Sequence, residues 1–390
     1  MTDFRATCRC LRRAGAATLV AAVLCIAPRA DPKPVVKKGV TTSDACGDCH
    51  KDIYRMWRAS AHAKSMEDPV FVSGWKDATA REGEAVSRRC LRCHAPLAEL
   101  TADSGLKQRV TWEGVNCDVC HSLVSVDHSQ KPPKMVFDIG EVKRGPIKDA
   151  VSMAHEVAYS PLHQQSLVCA GCHEYTTPEG TEVISTWSEW VTSSASKDGR
   201  TCQSCHMATT RANVVDPKVK RVRADVNLHE VPGGHSLDQL HKALGVNLQT
   251  RREGEALTVQ VDLKNKGAGH AVPTGMPGRK VWLEVSVGTD GGKSFQEKRV
   301  YTRSFEDAQG QPITRDSRYF SPGAKQVGDT RIRPDEKRTE KFRFEVPSKA
   351  TAFVTVALQY EHAPSGGPED RTWITFQSEK RTVLPAGGKP

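Results

Sequence analysis

Ten cysteines of this chain form five pairs with two residues between the partners, and a histidine directly follows the second cysteine of each pair. The five sets are Cys46, Cys49, His50; Cys90, Cys93, His94; Cys117, Cys120, His121; Cys169, Cys172, His173; and Cys202, Cys205, His206. Two thiols at this spacing can reach the two vinyl groups on one porphyrin edge and form thioethers. The imidazole of the next residue can then bind the iron. The spacing therefore predicts five covalently bound haem c groups, with the five motif histidines as proximal iron ligands.

Two other uses of paired cysteines explain the pattern less well. Zinc sites combine such pairs in twos, but they do not require a histidine after every second cysteine. A dithiol oxidoreductase needs a single pair in a thioredoxin-like setting. The three further cysteines, at positions 8, 10 and 25, fall in a predicted signal segment. The mature chain therefore has no cysteine left for thiol catalysis or structural disulfides.

Nine other histidines are available to complete the irons on the opposite side. A second histidine closes a haem for electron transfer, whereas an open position would permit substrate chemistry. The sequence favours six candidates: one in a helix after the first motif, two before the fourth motif, two that bracket a Val-Pro-Gly-Gly turn, and one in a Gly/Pro loop. In that order they are His62, His155, His163, His229, His235 and His270. The count permits bis-His ligation of every iron, but the sequence does not assign a histidine to each.

The elements that must position these ligands are expected to be short helices joined by long loops. The spacing of the motifs suggests that residues 90–121 and residues 169–206 each bring two haems together. A polar, basic connector over 207–228 follows the last motif, and a short helix is predicted for 236–243. The haems would replace much of the side-chain core, which fits the low aromatic content of 6%.

From about residue 245 the pattern changes to alternation of apolar and polar residues. Examples are 257–263, 281–287, 341–346, 353–358 and 372–376, with turn signals between them. Period-two alternation indicates antiparallel strands with one buried face. Some seven strands predict a β-sandwich, immunoglobulin-like in the broad sense. The expected fold class is therefore α + β with two domains: a pentahaem cytochrome domain over 31–245 and a sandwich over 246–390 that serves as a scaffold or docking module.

The first 30 residues have the features of a signal peptide. Arginines at 5, 9, 12 and 13 precede a short apolar run over 14–27, too short to span a bilayer. No later segment is apolar enough to cross a membrane, so we expect a soluble or peripheral product in the periplasm or on the cell surface. The formal charge of +10 does not indicate nucleic-acid binding, because five haems would add about ten propionate charges that pair with Lys and Arg.

Several phrases between the motifs carry a resemblance to a known family. SAHAKSM, GVNCDVCH, SPLHQQSLVCAGCH, EWVTSSASKDGRTCQSCHM and HEVPGGHS resemble the multihaem cytochromes related to the electron acceptor of hydroxylamine oxidoreductase. The resemblance covers about residues 44–245, and GAGHAVPTGMPGRKVWLEV resembles the start of a β-rich domain found on some members. It implies an exported electron carrier with closely stacked, mostly bis-His haems. It also supports His62, His163, His229, His235 and His270 as distal ligands. The tetrahaem members lack one haem and the sandwich.

The sequence thus predicts an electron carrier with other redox proteins as partners, and it does not settle whether the protein is also an enzyme. The alternative is a multihaem oxidoreductase with one open haem that acts on a small nitrogen or sulfur compound. Ammonia-forming nitrite reductases typically have a lysine in one motif, whereas all five motifs here end in histidine. Hydroxylamine oxidoreductases carry eight haems, and this chain has five motifs.

Overall fold

The computed structural model of the chain describes residues 39–362 and 372–386. The predicted signal peptide over 1–30 lies outside the described residues. Within them, no helix is long and apolar enough to cross a membrane.

The part of the chain up to residue 243 consists mainly of short helices. They are α1 (Ser43–Cys49), α2 (Lys51–Ala59), α3 (Pro69–Glu82), α4 (Glu84–His94), α5 (Pro96–Leu100), α6 (Arg109–Trp112), α7 (Cys117–His121), α8 (Leu167–His173), α9 (Thr186–Val191), α10 (Ser194–Lys197), α11 (Cys202–His206) and α12 (Leu237–Ala243), with a 3-10 turn at Pro161–Gln164.

Every CxxCH motif coincides with a helix. Helices α4, α7, α8 and α11 end at the motif histidine, and α1 ends one residue before it. Residues three apart lie on the same helix face, so the two cysteines of each motif point to one side. Polar residues before the motifs begin these helices: the Asn116 side chain accepts a hydrogen bond from the Val119 amide at 3.2 Å, and Thr201 accepts one from the Ser204 amide at 3.3 Å. Local capping therefore aligns the groups that would hold each haem.

Four small two-stranded sheets connect the helices. They are formed by β1 (Leu123–Asp127) with β2 (Lys134–Phe137), β3 (Lys143–Gly145) with β4 (Val157–Tyr159), β5 (Tyr175–Thr176) with β6 (Glu182–Ile184), and β7 (Thr209–Asn213) with β8 (Arg223–Asn227). The β3–β4 pair is parallel and the other three are antiparallel. The predicted connector over 207–228 thus forms a β-hairpin.

The rest of the chain is built from strands, as the alternating pattern predicts. They are β9 (Leu244–Glu253), β10 (Ala256–Asn265), β11 (Lys280–Thr289), β12 (Ser294–Tyr301), β13 (Arg303–Glu306), β14 (Lys325–Asp329), β15 (Lys337–Glu345), β16 (Ala352–His362) and β17 (Thr372–Val383), with a 3-10 turn at Asp316–Phe320. Seven of them form two antiparallel sheets, in the orders β15-β10-β9 and β12-β11-β16-β17. Alternate residues of β11, from Val281 to Val287, are fully buried in a core shared by both sheets. The predicted α + β class is confirmed.

Buried contacts join the helical part to the strand part. Arg303, on β13, is 4% exposed and donates hydrogen bonds to the backbone oxygens of Val183 at 2.8 Å and Glu182 at 2.6 Å. A small apolar cluster continues this contact, with Tyr175 from one part and Phe305 and Tyr319 from the other. The two parts are therefore packed together through side chains that water does not reach.

Candidate haem-binding sites

Four of the five motif histidines face a second histidine ring. The ring centroids lie 6.1 Å apart for His50 and His155, 6.3 Å for His62 and His173, 6.5 Å for His121 and His229, and 6.2 Å for His206 and His270. Two metal–nitrogen bonds of about 2 Å, with each ring centre roughly 1 Å beyond its nitrogen, would place two coaxial imidazoles about 6 Å apart. The four pairs therefore have the separation that an iron held between two imidazoles requires.

Hydrogen bonds leave the same nitrogen of most of these rings available. The Nδ1–H of His50 donates to the Val214 oxygen at 2.5 Å, and that of His206 donates to the Pro232 oxygen at 2.7 Å. The same bond is made by His94, His121, His155, His229 and His270. A carbonyl accepts only from a protonated nitrogen, so Nε2 is the free donor toward a metal. Such bonds also fix the orientation of a ligating ring.

The deeper motif histidines are held in the neutral form that binds metals. Burial lowers the pKa of His94 and His121 to about 4 and that of His173 to about 3. By accessible surface, however, His94 and His121 are half-buried and His173 is exposed. These rings are therefore surrounded by protein groups without being fully covered by them. This arrangement fits a haem in contact with each ring.

His163 and His229 both lie next to His121, and their hydrogen bonds distinguish them. The His163 ring centroid is 5.8 Å from that of His121, but its Nε2 is bonded to the Cys120 oxygen at 2.8 Å. His229 uses Nδ1 toward the Asn227 oxygen at 2.6 Å, so its Nε2 remains available. The geometry therefore favours His229 opposite His121, where the sequence left both histidines as candidates.

His94 differs from the other motif histidines. Among the described residues, no second histidine ring lies opposite it at the separation of the four pairs. Its ring is instead stacked on Phe71, with the centroids 3.7 Å apart and the planes 6° from parallel. His235, a candidate from the sequence, lies against Tyr360 with the centroids 6.2 Å apart. The structure thus brings five candidates to motif histidines, namely His62, His155, His163, His229 and His270, whereas the ring contact described for His235 is with Tyr360.

Contacts between cysteines show which motifs are neighbours. The ten described cysteines are free. The thiols of Cys46 and Cys117, of Cys93 and Cys172, and of Cys169 and Cys202 lie close enough for each to shift the pKa of the other. Cys120 interacts electrostatically with Cys172 and Cys169. The first, third and fourth motifs therefore follow one another, and the fourth also meets the second and the fifth. The second motif contacts the fourth, whereas the sequence spacing suggested that its neighbour would be the third motif.

A buried ion pair holds the loop that carries His270. Glu189, on α9, accepts hydrogen bonds from the Ala271 amide at 3.0 Å and from the Thr274 hydroxyl at 2.8 Å. Arg331 pairs with the same carboxylate at 2.6 Å, and the side chains of Arg331 and Glu189 are 5% and 7% exposed. Burial alone would raise the pKa of Glu189, but Arg331 and these hydrogen bonds lower it overall.

The His270 loop also depends on a glycine for its close approach to the helices. A β-carbon added to Gly269 would lie 2.9 Å from the Ala195 side chain and 3.0 Å from the Trp190 ring. Sequence analysis identified the Gly/Pro loop but missed Glu189 and Arg331, because their pairing over 142 residues leaves no local signal.

Replacing Arg331 with methionine should lower the free energy of unfolding by about 3–5 kcal/mol, because Glu189 would remain buried without its partner. Chemical denaturation of the haem-loaded protein measures this loss. Arg343→Met is the matched control: Arg343 and Glu345 form an ion pair at 3.5 Å whose side chains are 70% and 71% exposed. The control should change stability by less than about 1 kcal/mol. Equal effects of the two substitutions would contradict a structural role for the buried pair.

Comparisons with known proteins give a family match to part of the chain and a structural match over most of it. The family model "Cytochrome c554 and c-prime" matches residues 45–122, which contain the first three motifs. A penta-heme cytochrome c552 from Thermochromatium tepidum is similar in structure, with a TM-score of 0.70 and 23% sequence identity over 88% of this chain and 99% of that chain. A Bordetella pertussis protein assigned as ApaA aligns with a TM-score of 0.20 and 10% identity over 37% of this chain and 95% of that chain. No protein with a curated description matches significantly.

The similarity to the cytochrome c552 shows a shared fold over nearly the whole chain. The family match, together with the five motifs, supports a multihaem c-type cytochrome with covalently bound haem c that transfers electrons. The relation to the electron acceptor of hydroxylamine oxidoreductase stays a prediction.

Proposed function

We propose that the chain is an exported pentahaem electron carrier, with four bis-His haems and a fifth for which the described residues place only His94 as a ligand. The observation that carries this proposal is the set of four facing ring pairs, because two imidazoles on one iron give a closed, low-spin haem suited to electron transfer. The number of motifs also agrees with the five haems of the penta-heme cytochrome c552 from Thermochromatium tepidum. Covalent attachment implies maturation outside the cytoplasm, so we propose the periplasm or the cell surface as its location.

The order of the motifs defines a route for the electron. The His50 haem lies at one end, the His121 haem follows, and the His173 haem is the junction from which the His94 and His206 haems branch. An electron that enters at one end therefore reaches either branch only through the junction. The protein sets the potential of each haem through axial ligands, hydrogen bonds to them and burial. Its partners would be other one-electron carriers.

The oxidised, purified protein should show four low-spin ferric haems and one high-spin ferric haem. Low-temperature EPR, normalised to total haem, measures this ratio. The reason is that a single imidazole ligand leaves the iron at His94 five-coordinate or bound to water. His235→Ala is the matched control, and it should leave the ratio unchanged. Five low-spin signals, one of which is lost in His235→Ala, would instead assign His235 as the sixth ligand of that haem.

A second candidate function is reduction or oxidation of a small nitrogen or sulfur compound at the His94 haem. Asp316 Oδ1, Arg279 Nε and Tyr360 Oη are among the buried atoms that have no hydrogen-bond partner within the described residues. The charge of Asp68 acts on both His94 and Asp316, which indicates that Asp316 lies near this motif. Burial raises the pKa of Asp316 to about 7, so this carboxyl group could donate or accept a proton at neutral pH.

Carbon monoxide binding tests whether the His94 haem is open, and turnover assays then separate the two candidate functions. If the His94 haem is open, the reduced protein should bind one carbon monoxide per five haems. Turnover of nitrite, hydroxylamine or sulfite would then support the enzyme, provided that Asp316→Asn lowers the turnover rate. Binding without turnover would leave the protein an electron carrier.

A further inference from the structure

The His50 haem would lie next to an exposed apolar segment. His155, which faces His50, follows a segment over 147–154 in which every residue except Ser152 is exposed. Val151 is 86% exposed and Met153 is 91% exposed, and both are among the large apolar side chains that the fold leaves in solvent. Exposed apolar groups of this kind beside a cofactor are typical of an interaction site.

A second segment on the same haem site is fixed to the first motif by several hydrogen bonds. The Val214 oxygen accepts from His50 at 2.5 Å, and the Asp216 amide donates to the Cys49 oxygen at 2.6 Å. Asp216 also pairs with Lys51 at 2.6 Å. The loop between β7 and β8 therefore cannot move away from the His50 site without breaking bonds to the motif itself.

This loop carries a concentrated positive charge. Residues 217–223 read Pro-Lys-Val-Lys-Arg-Val-Arg, with four basic residues and no acidic one. Lys218, Lys220, Arg221 and Arg223 are all exposed, and none of them forms an ion pair within the described part of the chain. Val219, between two of them, is 58% exposed. Acidic groups are also present around the site, at the exposed positions Asp48, Asp149 and Glu156, but they are spread over three separate segments.

We propose that this surface, the apolar segment 147–154 and the basic loop 217–223, is the docking site for a small acidic electron-carrier protein. The inference rests on the proposed function, because it names the partner class of the same electron carrier. One electron passes from the reduced partner to the iron that His50 and His155 would hold. The partner is oxidised by one electron, the iron goes from ferric to ferrous, and no covalent bond changes.

The charge and the size of the surface both fit a transient complex. Unpaired positive charge attracts an acidic partner over a distance and raises the association rate, and salt screens this effect. A few apolar side chains in the segment 147–154 would give a small contact area, which suits a carrier that must dissociate after each electron. An anionic membrane could also attract the loop. With only three large apolar side chains, Ile147, Val151 and Met153, in the neighbouring segment, the surface offers little to insert into lipid, so a protein partner is favoured.

Stopped-flow reduction by an acidic flavodoxin tests the proposal on the haem-loaded full chain. Lys218→Glu/Lys220→Glu/Arg221→Glu should lower the second-order rate constant about tenfold at low ionic strength and should weaken its salt dependence. The matched control is Lys264→Glu/Lys341→Glu/Arg343→Glu. These three residues are exposed on β10 and β15 and change the net charge equally. The control should stay within about twofold of the wild type.

Several outcomes would overturn the docking site. Equal losses in the two triple variants would show that net charge alone determines the rate, and no loss in either would exclude electrostatic docking here. Val151→Ser/Met153→Ser should slow reduction at high salt, where charge is screened, and an unchanged rate would remove the apolar segment from the site. The loop variant could instead lose binding to vesicles that contain anionic lipid and still be reduced by flavodoxin at the wild-type rate. That result would assign the loop to membrane binding.

Reduction by dithionite distinguishes a failure of the docking site from a failure of the proposed electron-carrier function. Dithionite is a small reductant that needs no docking surface, so it should reduce all five haems equally in every variant. If the wild type itself is not reduced through its full haem content, the electron-carrier function fails, whatever the flavodoxin rates are.

Discussion

Replacing both cysteines of the fourth motif, Cys169→Ala/Cys172→Ala, should leave four haems and divide the electron route into separate parts. The fourth motif is the one whose cysteines lie next to three other motifs, through Cys93, Cys120 and Cys202. Without its haem, an electron entering at His50 should reach only the His121 haem. The fast phase of reduction by flavodoxin should then account for two of the four remaining haems, with mass spectrometry giving the haem count.

The same change in the last motif is the matched control. Cys202→Ala/Cys205→Ala also removes one haem, but from the end of a branch, so the four remaining haems should all be reduced in the fast phase. The junction variant should also be less stable, by at least the ~3–5 kcal/mol that loss of a large buried aromatic side chain costs. If both variants keep a continuous fast phase, the order of motifs derived from the cysteine contacts is wrong.

Replacing His270 with alanine should convert one further haem in five from low-spin to high-spin while all five stay covalently attached. Cys202 and Cys205 would still hold the porphyrin and His206 would still bind one side of the iron. His270 is the only ring found opposite His206 in the described part of the chain, with the centroids 6.2 Å apart. EPR of the ferric protein, normalised to total haem, measures the change.

His241→Ala serves as the control for that substitution. His241 is exposed on α12, so its replacement should change neither the ratio of low-spin to high-spin haem nor the haem content. An unchanged spectrum in His270→Ala would mean that the strand part supplies no iron ligand. It would then be a scaffold alone, which is one of the two roles that the sequence suggested for it.

Much of this arrangement could be predicted from the sequence because its signals are local. The haem motifs depend on a spacing of three residues, and each forms the turn of helix that the chemistry needs. The strands follow from alternation, as in β11, where Val281, Leu283, Val285 and Val287 all face the core. His62 and His270 were among the ligand candidates because each lies in a distinctive local phrase.

The pairing of ligands could not be predicted, because it depends on contacts between distant segments. His50 faces His155, and His121 faces His229, each pair separated by on the order of a hundred residues of chain. Nothing near His163 in the sequence shows that its Nε2 is occupied by the Cys120 oxygen. The stacking of Phe71 on His94 likewise follows from the position of α3, which no local pattern fixes.

The hydrogen bond from His163 to the Cys120 oxygen has a consequence for how the holoprotein folds. Each iron can capture whichever imidazole arrives first, and His163 is much closer in sequence to His121 than His229 is. A ring captured early would hold the chain in a misligated state until the iron–nitrogen bond broke. Once the 3-10 turn at Pro161–Gln164 has formed, the Cys120 carbonyl occupies Nε2 of His163, the nitrogen that most of the paired histidines leave free, and only Nδ1 is left without a partner. This turns the Nε2 of a competing ring away from the iron, so that His229 can arrive later from a distant part of the chain.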